Sequence, residues 1–192
     1  MPSVARPTIL QDPGYLFFAQ PGSSLPVNTV AGGVFTDAWP VAWGSAGATE
    51  DGSEFSYSTK VEPTMVAEFF DPIKYSTTER SGTFAFNLAD WTLARVEAAF
   101  NGGTRTVVSG TGLTQLNKYT LPSPGQEERL MVGWESLDNT VRIVVYQALQ
   151  GGEVKMAFKK APALAVIPCT FNFEIPAAGQ PFEIWTAGDG RA

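Results

Sequence analysis

The order of apolar and polar positions changes period once, in TFAFNLADWTLARVEAAFNGG (83–103). From Thr83 to Leu88 it alternates, with Phe84, Phe86 and Leu88 on one face and Ala85 and Asn87 on the other, the period of a half-buried strand. Helical spacing then takes over at Leu93, Val96 and Phe100. With Asp90 as N-cap and Gly102 as a left-handed C-cap, it predicts a helix over 90–101. So short a helix does not hold itself in water and needs a surface to cover, which implies a sheet beneath it.

The rest of the chain carries strand periods. Glu54 to Glu62 alternates, with Phe55, Tyr57, Thr59 and Val61 predicted to face a core and Glu54, Ser56, Ser58, Lys60 and Glu62 to face water. Val34 to Gly44 fits a strand or broken hairpin, and Thr64–Phe70 and Ile73–Thr78 read as extended segments parted by Asp71-Pro72. Further strands are predicted at Leu130–Trp134, Val141–Ala148, Glu153–Phe158, Leu164–Glu174 and Phe182–Trp185, with hairpin turns at Asp138-Asn139 and Gly151-Gly152. Short, regularly spaced strands with one helix predict a mainly β fold. We expect a β-sandwich or barrel of two packed sheets, with one flanking α-helix over an open side.

Two segments fall outside this pattern. Residues 1–33 are broken by Pro2, Pro7, Pro13-Gly14, Pro21-Gly22, Pro26 and Gly32-Gly33, leaving Tyr15, Leu16, Phe17 and Phe18 as their apolar cluster. They read as an extended N-terminal arm making inter-subunit contacts through those four residues, ahead of a single domain over 34–192; a first strand of the same domain is the alternative. Residues 102–128 mix a short β-like run with turn residues and read as a long loop, of the kind that serves as an interaction arm.

Charge narrows the partners. Among 192 residues, 19 acids against 13 bases leave a net charge of -6, with no basic stripe, which argues against binding nucleic acid through phosphate contacts. No apolar run reaches bilayer-spanning length, and no signal-peptide pattern opens the chain, so a soluble protein made in the cytoplasm is expected. Cys169 has no second cysteine to pair with.

The search for chemistry returns few candidates. Without histidine, Ser-His-Asp and Cys-His sites and the usual zinc and non-haem iron sites are excluded, so no catalytic, metal or cofactor residue is assigned. Cys169 shares strand parity with Phe171, Phe173 and Ile175 and reads as core filling. Gly110-Thr111-Gly112 with Lys118 lacks the spacing of a phosphate loop and reads as a plain loop. Glu127 and Glu128, with Trp134 nearby in sequence, would suit a glycoside-hydrolysing or sugar-binding sandwich only if the fold set two carboxylates across a cleft; surface acids are the simpler reading. A monomeric adhesion module is a further alternative.

The succession of elements resembles a known family. Gly14-Tyr15-Leu16-Phe17 and Leu25-Pro26, the strand Phe55–Val61, Pro72-Ile73, Glu79-Arg80, Thr83-Phe84-Ala85-Phe86 leading to a helix and Asn101-Gly102, Arg142-Ile143-Val144-Val145, and Ile167-Pro168-Cys169-Thr170-Phe171 together resemble the major tail tube proteins of long, non-contractile-tailed (siphovirus-type) bacteriophages. The resemblance implies a non-enzymatic structural subunit of the virion, stacked as hexameric rings into the conduit for genome ejection. It also implies tape measure, tail tip and tail terminator proteins as partners, DNA that passes without specific binding, and no membrane. The tube component of type VI secretion is similar to this family in fold and is the neighbouring alternative.

If the chain forms such a ring, its charge distribution gains a meaning. Six acids and one lysine lie between Glu50 and Asp71. About four strands from each of six copies would close a barrel of roughly 26 Å radius. Glu54, Ser56, Ser58, Lys60 and Glu62 are expected to line its lumen, where carboxylates repel phosphate within about 8 Å at physiological salt.

Overall fold

The computed structural model describes residues 13–156, 158 and 165–188. It is mainly β with one helix, as the strand periods predicted. The strands are β1 (Tyr15–Ala19), β2 (Val30–Ala31), β3 (Val34–Phe35), β4 (Gly44–Ser45), β5 (Thr49–Thr64), β6 (Lys74–Leu88), β7 (Thr104–Ser109), β8 (Leu116–Thr120), β9 (Leu130–Glu135), β10 (Val141–Gln150), β11 (Ile167–Phe173) and β12 (Phe182–Thr186). The helix, α1, spans Leu93–Ala99.

Eight strands form one antiparallel sheet in the order β4-β1-β9-β10-β11-β6-β5, with β12 also on β10. The expected two layers are thus leaves of a single hydrogen-bonded sheet. Strand β10 is the fold line: its first half pairs with β12, its last residues pair with β11, and its register against β9 shifts between Val145 and Ala148. A bulge bends and twists a strand locally, and here it lets the sheet turn over on itself. The leaves meet through aromatic side chains, with Phe18 of β1 5.6 Å from Phe171 of β11 and 6.0 Å from Phe86 of β6. Three residues, 46–48, connect the two ends of the strand order, so β4 and β5 lie side by side in sequence while closing opposite edges.

The core between the leaves is the alternating face read from sequence. Phe84, Phe86 and Leu88 of β6 are buried with Ile167, Cys169 and Phe171 of β11, and register pairs Phe86 with Cys169 and Phe84 with Phe171. Each of the phenylalanine, leucine and isoleucine side chains contributes about 1.5–3 kcal/mol by leaving water. The parity of Cys169 ends at Phe173; Ile175 lies past the strand and is exposed.

Helix α1 packs its Val96 and Ala99 against this core beside β11. It is shorter than predicted. Its N-cap is Thr92, which makes no side-chain capping bond, while Asp90 instead pairs with Arg95 at 3.5 Å. At the other end Asn101 (φ 57) takes the left-handed position one residue before the expected glycine, and Gly102 has positive φ as well (93). Gly102 N–H bonds to Glu97 O at 2.8 Å and Asn101 N–H to Ala98 O, the paired closure that ends a helix when a left-handed residue follows it.

Several strand expectations are corrected. Residues 65–73 form a loop where Thr64–Phe70 was expected to be extended, and of the separate segment expected at Ile73–Thr78 all but Ile73 belongs to β6, which runs unbroken to Leu88. Glu153–Met156 is not a strand; Phe158 lies outside any element, and residues 157 and 164 of the two C-terminal predictions are outside the described residues. Asp138-Asn139 does turn β9 into β10, but Gly151-Gly152 makes no tight hairpin, because β11 begins only at Ile167.

Candidate functional site

Tyr15, Leu16, Phe17 and Phe18 do not form an arm. They are β1, an interior strand paired along its whole length with β9 and, at Phe17 and Phe18, with β4. Leu16 is 2 % exposed, Phe17 stacks on Trp39 at 4.6 Å, and only Tyr15 presents its ring to solvent. Strand pairing on both edges makes this segment part of the same sheet as the strands after residue 34 and not a separate arm, with Tyr15 alone of the four left exposed. Residues 1–12 of the proposed arm are outside the described residues.

The segment after β1 is held down by a buried arginine that the sequence did not single out. Arg142 of β10 directs its guanidinium to acceptors on three residues, Glu135, Asn28 and Asp37. Nε and Nη2 reach Glu135 Oε1 at 2.8 and 2.7 Å; Nη1 reaches Asn28 Oδ1 and Asp37 Oδ2, both at 3.1 Å; and Nη2 also reaches Asp37 O at 2.6 Å. Its cation lies 4.6 Å from the Phe35 ring centre. Burial pushes the Asp37 carboxyl upward, but the Asn28 N–H and the Arg142 guanidinium outweigh it and hold it below the usual range. Its Nε, Nη1 and Nη2 all find partners within the subunit, so the cluster fastens residues 28–39 to the sheet. The cross-strand register of a β9–β10 hairpin, which sets Glu135 opposite Arg142, was the signal that could have found it.

Sheet β5–β6 is backed by β11 only as far as Thr83. Beyond it, eight register pairs, from Tyr57↔Gly82 to Thr64↔Lys74, continue as a two-stranded ribbon roughly 25 Å long. The predicted polar face holds here: Glu54, Ser56, Ser58, Lys60 and Glu62 are all exposed, Ser58 and Ser81 hydroxyls meet at 2.7 Å, and Lys60 pairs with Glu62 at 3.4 Å. The opposite face divides. Phe55 enters the core and Tyr57 rests on Phe182 at 5.1 Å, whereas Thr59 and Val61 are exposed on the projecting part, contrary to the expected core position. At the ribbon's tip Met65, Phe69, Phe70 and Ile73 are exposed, flanked by Glu68 and Asp71.

The expected loop 102–128 contains a second ribbon, β7–β8, turned through a 3-10 turn at Gly112–Thr114. Gly110 and Gly112 take positive φ in that turn, the role of their GTG motif. The ribbon leans on the body at its base, where Tyr119 donates to Gly102 O at 2.6 Å and stands 6.2 Å from Phe100. Val107, Val108, Leu113 and Leu116 are exposed. Two-stranded ribbons are marginal in water without a further surface.

The remaining candidates resolve locally. Trp134 is buried and donates to Pro13 O at 3.1 Å, while Glu127 turns to Gly125 N–H and Glu128 is exposed, so these carboxylates do not face each other across an aromatic cleft. Burial raises the Cys169 thiol to about 12, so it is protonated and unreactive at neutral pH. A cleft of about 290 Å³ between α1 and β1 is lined by Phe18, Ala42, Arg95, Ala98 and Leu130. Among the described residues no group of His, Cys, Asp and Glu is arranged to hold a metal, and no helix is long and apolar enough to cross a membrane.

No family model matches the chain, and no curated protein matches it.

Proposed function

We propose that the chain is a non-enzymatic structural subunit that polymerises with copies of itself into the tail tube of a long, non-contractile-tailed bacteriophage. The observation that carries this reading is the pair of ribbons, β5–β6 and β7–β8, that leave the folded body with apolar side chains in water. A monomer gains nothing from such projections, and exposed apolar surface of this kind marks contact sites. Because the two ribbons differ, a contact made through them is heterologous and repeats into rings or filaments. The resemblance in the order of elements supplies the specific assembly: hexameric rings stacked around a channel for DNA, with tape measure, tail tip and terminator proteins as partners in the virion.

In this reading the outward polar face of the β5–β6–β11 leaf lines the lumen. Glu54, Ser56, Ser58, Lys60 and Glu62 share that face with Glu79, Ser81, Thr83 and Thr170, which follow from the register. Negative-stain microscopy of the purified chain tests the proposal: rings or tubes with a central channel are expected, and dispersed particles at all concentrations would refute it.

A further inference from the structure

We propose that the tip of the β5–β6 ribbon of one copy docks on the β7–β8 ribbon of the next copy. This rests on the self-assembly reading above and names its contact. The two surfaces are complementary in charge. The tip loop, 65–73, carries Glu68 and Asp71 and no base; the β7–β8 ribbon, 104–120, carries Arg105 and Lys118 and no acid. Both are apolar: Phe69 and Phe70 at the tip, Val107 and Leu116 on the ribbon, all exposed. Among the described residues neither charge set forms an ion pair within the chain, and no ring contact joins the two ribbons.

The geometry of β7–β8 suits a receiving surface. Register places Arg105 and Val107 on the face of Tyr119, which leans on the body, and Lys118 and Leu116 on the opposite face. A tip approaching either face therefore meets one cation beside one aliphatic side chain. The ribbon also has a free strand edge on each side, and its 107–109 bulge twists it away from pairing flatly with another copy of itself, which favours an unlike partner. At the tip, Ile73 N–H bonds to Thr64 O and Phe69 N–H to Val66 O, so the loop presents Phe69 and Phe70 on a closed turn and loses little freedom on docking. Two apolar rings flanked by carboxylates meeting an aliphatic side chain beside a cation give a desolvated centre with a charged rim, the usual division of labour in an interface.

Charge reversal tests the contact. Glu68→Lys with Asp71→Lys, and separately Arg105→Glu with Lys118→Glu, are each expected to raise the concentration needed for assembly by about ten-fold or more; the two sets combined are expected to restore it to within about three-fold of the parent. Far-ultraviolet circular dichroism checks that each variant is folded. In a Cys169→Ala background, Phe70→Cys mixed with Val107→Cys should form an intermolecular disulfide, and neither variant alone should. Tubes that form normally in both reversal sets, or no rescue in the combination, would overturn the ribbon contact while leaving the tube reading intact. A parent chain that stays monomeric would overturn both. A monomer whose Phe70 partitions into phosphatidylcholine vesicles would assign the tip to a membrane and equally overturn the contact.

Discussion

Glu135 and Arg142 face each other across the β9–β10 hairpin with Oε1 and Nη2 2.7 Å apart, and Arg142 is 1 % exposed. The pair also receives the Trp39 indole, which donates to Glu135 Oε2 at 2.6 Å, so one carboxylate organises two side chains from distant parts of the chain. Arg142→Ala would leave Glu135 buried and Asp37 partly buried without their cation and is expected to cost about 3–5 kcal/mol in urea unfolding. Arg142→Lys should recover only a minor part, because an ammonium lacks the planar fork that serves Glu135, Asn28 and Asp37 together. A loss under about 1 kcal/mol for the alanine variant would show that the cluster does not hold residues 28–39 in place.

The acid side of the stability profile follows chiefly from three of the four carboxylates held below their usual range; the fourth, Glu127, is a surface group held low by its own and the Gly125 backbone N–H. Asp37 is held low as described; the Ser136 and Thr140 hydroxyls hold Asp138 low; and the Gln147 amide, with help from Arg129, does so for Glu174. A carboxylate whose folded value is depressed contributes stability that is full above its unfolded value, about 3.9 for Asp and 4.3 for Glu, and is lost as pH falls through the folded value. Stability is therefore expected to be level from neutral pH to about 5 and to fall below about 4. Asp37→Asn should flatten that fall, and an unchanged slope would remove Asp37 from the account.

Gly133 supports two indoles. A Cβ there would stand 2.5 Å from Trp39 ring carbons and 2.9 Å from Trp43, rings that cross at 4.7 Å. Gly133→Ala is expected to cost about 1–3 kcal/mol and to alter tryptophan emission, because two rigid rings must shift together. Wild-type stability with unchanged emission would mean the rings have room to move.

Cys169 offers a probe of the core. With its thiol raised to about 12, iodoacetamide at pH 8 should label it only in denaturant, at the rate of global unfolding. Rapid labelling of folded chain would show that the β6–β11 core opens locally.

The lumen proposal has its own test. Glu54→Lys with Glu62→Lys leaves the core untouched, since both side chains are exposed, and is expected to permit tube assembly while slowing DNA passage. Unimpaired ejection by particles carrying both changes, or an assembled tube with these residues on its outer wall, would refute the placement.

Much of the fold was legible because it is encoded by neighbours. The alternation at Phe84, Phe86 and Leu88, and again at Ile167, Cys169 and Phe171, needs only a strand with one dry side, and those residues are the buried centre. The turn at Asp138-Asn139 was legible for the same reason, since Asn139 adopts the left-handed conformation its type tolerates. The polar face of β5 was legible too. Its apolar face was not: Phe55 and Val61 share one parity, yet only Phe55 is packed, because β11 backs the sheet near Phe55 and stops before Val61. Strand Tyr15–Ala19 looked like an arm because prolines surround it; its partners β9 and β4 lie as far as 120 residues away, and no local period announces them. Arg142 is the extreme case. An arginine inside an apolar strand period is stable only if acceptors arrive for all its donors, and three of them come from residues 28–37, brought there by the folding of the sheet. By itself, the sequence determined which faces avoid water, because that preference is local; the tertiary structure alone decided which of those faces find a partner within the subunit and which, at Phe70 and Leu116, are left outside it.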